Sequence, residues 1–162
     1  MSSPPWWKGT RGEWYVIAQF GLFLLIGLGP ATWPSLPPWP TWLGRVSPVL
    51  GGALMAAGGL LALAGLVHLG ANLTPLPYPK DDARLVESGA YRLVRHPIYG
   101  GLILAAFGWG LWRQGWLTLA CAVLLFWLFD RKAHCEEEWL QARFPAYGAY
   151  RRRVRKFIPF LY

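Results

Sequence analysis

The chain has 162 residues, of which 54% are hydrophobic, 16% aromatic and only 15% charged, and its net charge is +8. A soluble domain of this length carries about 25% charged residues, so the composition excludes an ordinary water-soluble domain and points to a single domain whose solvent is largely lipid. Two cysteines, Cys121 and Cys135, exclude a disulfide framework, and no Cys/His spacing resembles a zinc site, so no metal is expected.

Lys8 and Arg11 precede the first apolar run, and no small-residue cleavage site follows it, so this run is expected to be a retained anchor. The run extends over 14–33, near the roughly 20 residues a spanning helix needs. A connector with Pro34, Pro37, Pro38 and Pro40 is too interrupted for a helix. The second span is expected over 46–71. It is rich in small residues such as Gly51, Gly58 and Gly65, which permit close helix packing inside a monomer or between monomers.

Residues 71–97 are polar and broken by Pro75, Pro77 and Pro79, which predicts a surface loop. Two short apolar runs follow, with spans expected over 97–112 and 116–132, joined by Arg113-Gln114-Gly115 as a hairpin. Each run covers some 20 Å, less than the ~30 Å hydrocarbon core, so the last helix is expected to continue through 130–143. The fold class is thus an all-α integral membrane protein of about four transmembrane helices. The last two form a short hairpin, followed by a cytoplasmic helical extension.

Charge orients the spans. One side holds Lys8, Arg11, Lys80, Arg84, Arg92, Arg95 and the eight basic residues from Arg131 onward, fourteen in all, against Arg45 and Arg113 on the other. By the positive-inside rule both termini are cytoplasmic. The expected location is the inner (cytoplasmic) membrane of a bacterium or archaeon, with segments 72–100 and 131–162 on the cytosolic face. The cluster Arg151, Arg152, Arg153, Arg155 and Lys156 fits an anionic leaflet more economically than nucleic acid.

Two polar islands carry the chemistry. Arg92, Arg95, His96 and Tyr99 crowd the mouth of the third span, where such groups are costly beside hydrocarbon. His96, preceding Pro97, is biased away from helix and could simply be an N-cap. The second island is Arg131-Lys132-Ala133-His134-Cys135-Glu136-Glu137-Glu138. On a helix Glu136 and Glu137 point about 100° apart, so one can face a site and the other water. A solvated acidic face is the plain alternative. A hairpin brings the two islands together into one interfacial pocket, suited to a polar cationic cosubstrate from the cytosol and an apolar substrate from the lipid.

These residues resemble the isoprenylcysteine carboxyl methyltransferase family, integral-membrane enzymes related to the phospholipid N-methyltransferases. The resemblance runs from Leu69-Gly70-Ala71-Asn72-Leu73-Thr74-Pro75 through Leu85-Val86 and Arg95-His96-Pro97-Ile98-Tyr99-Gly100. It continues with Glu136-Glu137, Leu140, Phe144, Tyr147, Tyr150, Val154 and Ile158-Pro159. It implies S-adenosylmethionine as cosubstrate and S-adenosylhomocysteine as product, bound by Tyr91, Arg95, His96, Pro97, Tyr99, Gly100, Glu136 and Glu137. It further implies methyl transfer to a lipophilic or lipid acceptor, with Glu136 and a cation among Arg131, Lys132 and Arg153 as catalytic candidates. Two departures stand out: Phe144-Pro145 where the family has Phe-Gly, and Lys132 where it often has arginine. An acceptor carboxylate would need only a positioning cation, whereas an amine must first lose a proton to a base such as His96 or a glutamate. A sterol-type membrane reductase using NADPH shares an Arg-His-x-x-Tyr element and is the enzymatic alternative. A non-catalytic membrane scaffold is the other.

Overall fold

The computed structural model describes residues 12–78, 83–159 and 161–162. Lys8, Arg11 and Lys80, which enter the charge argument, lie outside the described residues. Five α-helices are present: α1 (Glu13–Leu28), α2 (Thr41–Leu69), α3 (Pro97–Trp112), α4 (Trp116–Arg143) and α5 (Tyr147–Arg153). Short 3₁₀ turns cover Gly70–Asn72 and Gly89–Arg92, and no strand occurs among the described residues.

The first helix ends at Leu28, five residues short of the expected boundary at 33, because Gly29 leaves the helix and Pro30 cannot continue it. Pro30 has no N–H for the carbonyl of Ile26, and the indole Nε1 of Trp109 donates to that oxygen instead, at 2.9 Å. The same substitution occurs on α2, which begins at Thr41 rather than 46 and runs through Pro48. The orphaned carbonyl there is that of Gly44, and Gln114 Nε2 donates to it at 2.7 Å. Both donors sit at the tip of the α3–α4 hairpin. Arg113 Nη1 also donates to the Gly29 carbonyl at 3.0 Å, so one hairpin tip closes the ends of α1 and α2.

The helix α2 and the turn after it, Thr41–Asn72, are long and apolar enough to cross a membrane, with a mean hydropathy of 2.0. At 16 residues each, α1 and α3 are shorter, about 24 Å. The last long helix continues unbroken from Trp116 to Arg143, as its expected extension requires.

Small residues decide how α2 meets α3. A Cβ at Gly58 would lie 2.4 Å from the Gly101 carbonyl, and one at Gly101 2.4 Å from that of Gly58; Gly51 and Gly108 oppose each other in the same way at 2.5 and 2.6 Å. The seven-residue spacing of Gly51, Gly58 and Gly65 thus forms one face against α3 within the monomer. It is the close-approach packing expected in lipid. The first helix packs antiparallel to α4 by a stripe of Tyr15, Gln19, Phe23 and Ile26: Tyr15 meets Cys135, Gln19 meets Lys132 and Phe23 meets Phe129. The core lies between α1, α3 and α4, around Ile26, Ile103, Ala122, Leu125 and Phe129, and Phe157 of the C-terminal segment closes it. On the outward faces of α1 and α2, Phe20, Leu24, Leu60 and Val67 stand exposed.

Candidate functional site

The end of the bundle opposite the hairpin tip is tied together by ion pairs. His96 precedes Pro97 with the non-helical backbone that proline imposes (φ −127°). It occupies the N-cap position, but its side chain makes no cap bond. His96 Nε2 donates instead to Glu137 Oε1 at 3.0 Å, and Arg95 Nε donates to the same oxygen at 2.8 Å. Arg151 Nε approaches the other oxygen at 3.2 Å. The side chain of Glu137 is 2% exposed. Burial pushes its carboxyl up, but the hydrogen bonds and charges of His96 and Arg95 outweigh that effect and hold it down at about 2.

The C-terminal segment is bound to the same turn. Arg95 N donates to the Arg155 carbonyl at 2.8 Å and His96 N to that of Lys156 at 3.0 Å. The guanidinium of Arg95 also donates to the carbonyls of Arg151 and Val154, where α5 ends. Charge at a helix C-terminus is favourable there. Tyr150 donates its hydroxyl to the Tyr91 carbonyl at 2.7 Å, and burial raises the phenols of Tyr91, Tyr147 and Tyr150. Gly100 admits this segment: a Cβ there would lie 2.7 Å from the Phe157 carbonyl.

Beside this network lies a cavity of about 290 Å³, at the lower end for small-molecule sites. Its polar lining includes Gln19, Asn72, Arg84, Arg95, His96, Lys132 and Glu136, together with the phenols of Tyr91, Tyr99, Tyr147 and Tyr150. Apolar walls come from side chains such as Ile98, Leu102 and Leu140. Tyr99 donates its hydroxyl to Glu136 Oε2 at 3.1 Å. Its ring stacks between His96, at 5.5 Å, and Phe129, at 4.7 Å. Lys132 Nζ stands 5.2 Å from the centre of the Tyr99 ring and donates to Gln19 Oε1 at 2.7 Å. Asn72 clasps the backbone of Arg84 by two hydrogen bonds of 3.0 and 3.1 Å, which holds segment 83–86 against the end of α2.

The two polar islands therefore meet, as the hairpin requires. Tyr91, Arg95, His96, Tyr99, Lys132 and Glu136 line the cavity. Pro97, Gly100 and Glu137 stand behind its wall: Pro97 opens α3 against Gly65, and the Glu137 carboxylate is turned into the ion network. Of the adjacent carboxylates, Glu137 is buried in the ion network, Glu136 lines the cavity with its side chain 29% exposed, and Glu138 is exposed and paired with His134 at 3.4 Å. Two cation candidates are corrected. Arg131 is exposed on the outer face of α4, and Arg153 is exposed and bound to Glu87 at 2.9 Å. Neither lines the cavity, whereas Lys132, one position from Arg131, does. His68 packs over Gly89, and its Nδ1 donates to the Ala64 carbonyl of its own helix at 2.6 Å. Asn72 entered the sequence reading only as part of the Leu69–Pro75 resemblance, with no role given to it, and Gln19 did not enter it. The signal for Gln19 was present, an amide alone among the apolar side chains of α1.

The family model for phospholipid methyltransferase matches residues 46–147, well over half of the chain. The cobalt-zinc-cadmium resistance protein CzcN of Cupriavidus metallidurans is 30% identical over 151 residues, which cover 91% of this chain and 62% of that protein. The protein-S-isoprenylcysteine O-methyltransferase of Homo sapiens is 29% identical over 158 residues, 91% of this chain and 51% of that one. A probable protein-S-isoprenylcysteine O-methyltransferase of Oryza sativa is 31% identical over 84 residues, covering 51% of this chain and 44% of its own. The chain spans less than two thirds of the length of each of these relatives. It belongs to the phospholipid methyltransferase family, in the company of the isoprenylcysteine carboxyl methyltransferases its motifs resemble.

Proposed function

We propose that this protein is an integral-membrane methyltransferase that uses S-adenosylmethionine and acts on a lipophilic acceptor at the cytosolic membrane interface. The observation that carries the reading is the cavity in which the Arg95–Tyr99 turn and the Lys132–Glu136 face of α4 converge. In this reading residues 1–162 form one membrane domain with four spans, α1 to α4, and both termini in the cytosol. The exposed apolar faces of α1 and α2 meet lipid in this reading.

The donor set suits that cosubstrate. Glu136 offers a carboxylate, oriented by Tyr99, for a cationic group, and the apolar walls accept a ring or chain. When bound, S-adenosylmethionine supplies a methyl group activated on a positive sulfur. Tyr91, Arg95, His96 and Tyr99 shape the surrounding wall, and Glu137 keeps Arg95 and His96 in place from behind. Transfer in line mainly needs proximity and alignment, which a rigid pocket provides. In this reading Lys132 serves as positioning cation for an acceptor carboxylate of the prenylcysteine type, whereas a lipid amine has first to lose a proton to a base such as His96 or Glu136. The test is calorimetric titration of detergent-purified protein with S-adenosylhomocysteine and, in parallel, NADPH. Saturable binding of the first alone is expected; binding of NADPH alone, or of neither, would overturn the reading.

A further inference from the structure

We propose that the C-terminal turn, formed by residues 157–159 and 161–162, is an interfacial anchor that folds back into the cytosolic leaflet. It sets Ile158 and Leu161 among acyl chains and Arg92, Arg152 and Arg155 among anionic headgroups. The inference rests on the membrane placement proposed above. It changes the environment of a segment that its basic residues alone assign to the cytosolic face.

The depth of the turn follows from what it packs on. The rings of Phe157 and Tyr162 lie against Phe126 of α4, with centroids 6.0 and 5.9 Å away. The Tyr162 hydroxyl donates to Asp130 Oδ1 at 2.9 Å, and Lys156 Nζ donates to the same oxygen. Arg131, exposed on the outer face of α4, marks the level at which charge still reaches water. Phe126 lies five residues nearer the hairpin tip, about 7.5 Å along the axis, within the 5–10 Å to which interfacial elements sink. From Trp116 to Phe129 the helix carries no charged residue, and Trp127 beside Phe126 is exposed.

Irregular backbone at such a level is costly unless its polar groups are paired. Here they are. Phe157 N and Ile158 N donate to the Tyr162 carbonyl oxygen at 2.8 and 2.7 Å, and Leu161 N and Tyr162 N to that of Ile158 at 3.2 and 3.1 Å. Pro159 has no N–H. The side chains that point outward are apolar, with Leu161 76% exposed and Ile158 39%.

The chain beside the turn is basic. Arg92, Arg152 and Arg155 are exposed, and among the described residues no carboxylate lies within ion-pair distance of them, unlike Arg151, Arg153 and Lys156. Val94 bridges to Arg155, which brings Arg92 and the exposed Leu93 alongside. An apolar turn bordered by arginines matches acyl chains bordered by anionic phosphates, in order and in sign. The contact bears on the cavity, because the Lys156 carbonyl at the base of the turn accepts the His96 N–H at 3.0 Å.

The experiment labels single cysteines with bimane at L161C, at L60C on the outward face of α2 and at R152C, in a full chain with Cys121 and Cys135 replaced by serine. The protein is reconstituted in vesicles of phosphatidylcholine and phosphatidylglycerol. Fluorescence is read with acyl chains brominated near the glycerol end and, separately, with iodide on both faces of the vesicle. Bromolipid quenching at L161C should come within about twofold of that at L60C and exceed that at R152C at least about threefold, with iodide quenching R152C alone. Quenching of L161C by iodide, or by neither agent as under a protein partner, would overturn the proposal. L60C decides the membrane placement by itself: without bromolipid quenching there, that placement falls, and the anchor falls with it.

Discussion

Arg95 Nε and Glu137 Oε1 meet at 2.8 Å although the residues lie 42 positions apart, and the side chains are 10% and 2% exposed. This pair joins the turn before α3 to the face of α4, and so it sets the distance between the two walls of the cavity. Removing one partner of a buried pair leaves the other charge uncompensated, at a cost of about 3–5 kcal/mol. Glu137→Gln should therefore lower the thermal midpoint in detergent markedly, with Arg95, His96 and Arg151 all losing a partner. A midpoint equal to wild type would show that the network does not stabilise the fold.

The same carboxylate sets a dependence on acid. Its folded value, about 2, lies below the ordinary 4.5, so the stabilisation it contributes is fully present above about pH 4.5 and fades as pH falls toward 2. Denaturation midpoints measured from pH 7 to pH 3 should fall below pH 4.5, and Glu137→Gln should flatten that part of the curve.

The glycine seam predicts a sharp contrast between neighbours. Gly58→Ala places a methyl group 2.4 Å from the Gly101 carbonyl, and overpacking of this kind costs about 1–3 kcal/mol or more. At Gly59 nothing lies within 4 Å, so Gly59→Ala should be neutral or stabilising by up to about 1 kcal/mol. Thermal melts of the two variants in one detergent test the pair; equal effects would remove the seam as the reason for the small residues.

Glu136 and Arg153 should separate site from surface. Glu136→Gln removes the cavity's carboxylate and should weaken S-adenosylhomocysteine binding by about tenfold or more, since hydrogen bonds to a charged group contribute about 1.5–3 kcal/mol. Arg153→Ala breaks only an exposed pair with Glu87 and should change neither binding nor stability by more than about 1 kcal/mol. Calorimetry on both variants decides between them, and a large loss in Arg153→Ala would return that arginine to the pocket.

Much of the site was legible because local chemistry announces itself. Arg95-His96-Pro97-Ile98-Tyr99 had to be a polar turn leading into a helix, and a hairpin had to return α4 to it. What misled was the choice among adjacent charges. Arg131 and Lys132 differ by one position, hence by about 100° around α4, and no pattern in the charges alone says which of them faces inward. The carboxylates were ambiguous in the same way: Glu137 went to the ion network, Glu136 to the cavity and Glu138 to water. Both proline effects on helix length were also hidden, because the carbonyls orphaned by Pro30 and Pro48 are served by Trp109 and Gln114 from the hairpin tip.

By itself the sequence determined an all-helical chain rich in apolar and small residues, the position of its two polar islands, and the family its motifs resemble. These follow from composition, periodicity and the backbone limits of proline and glycine, all of which act locally. The tertiary structure alone decided that the glycines of α2 pack on α3 inside the monomer, that Lys132 rather than Arg131 or Arg153 enters the cavity, and that Gln19 of α1 holds it there. Those outcomes depend on the rotation of each helix about its axis. That rotation is set by contacts between residues far apart in the chain, with Tyr15, Gln19, Phe23 and Ile26 seated together against α4 and its neighbours.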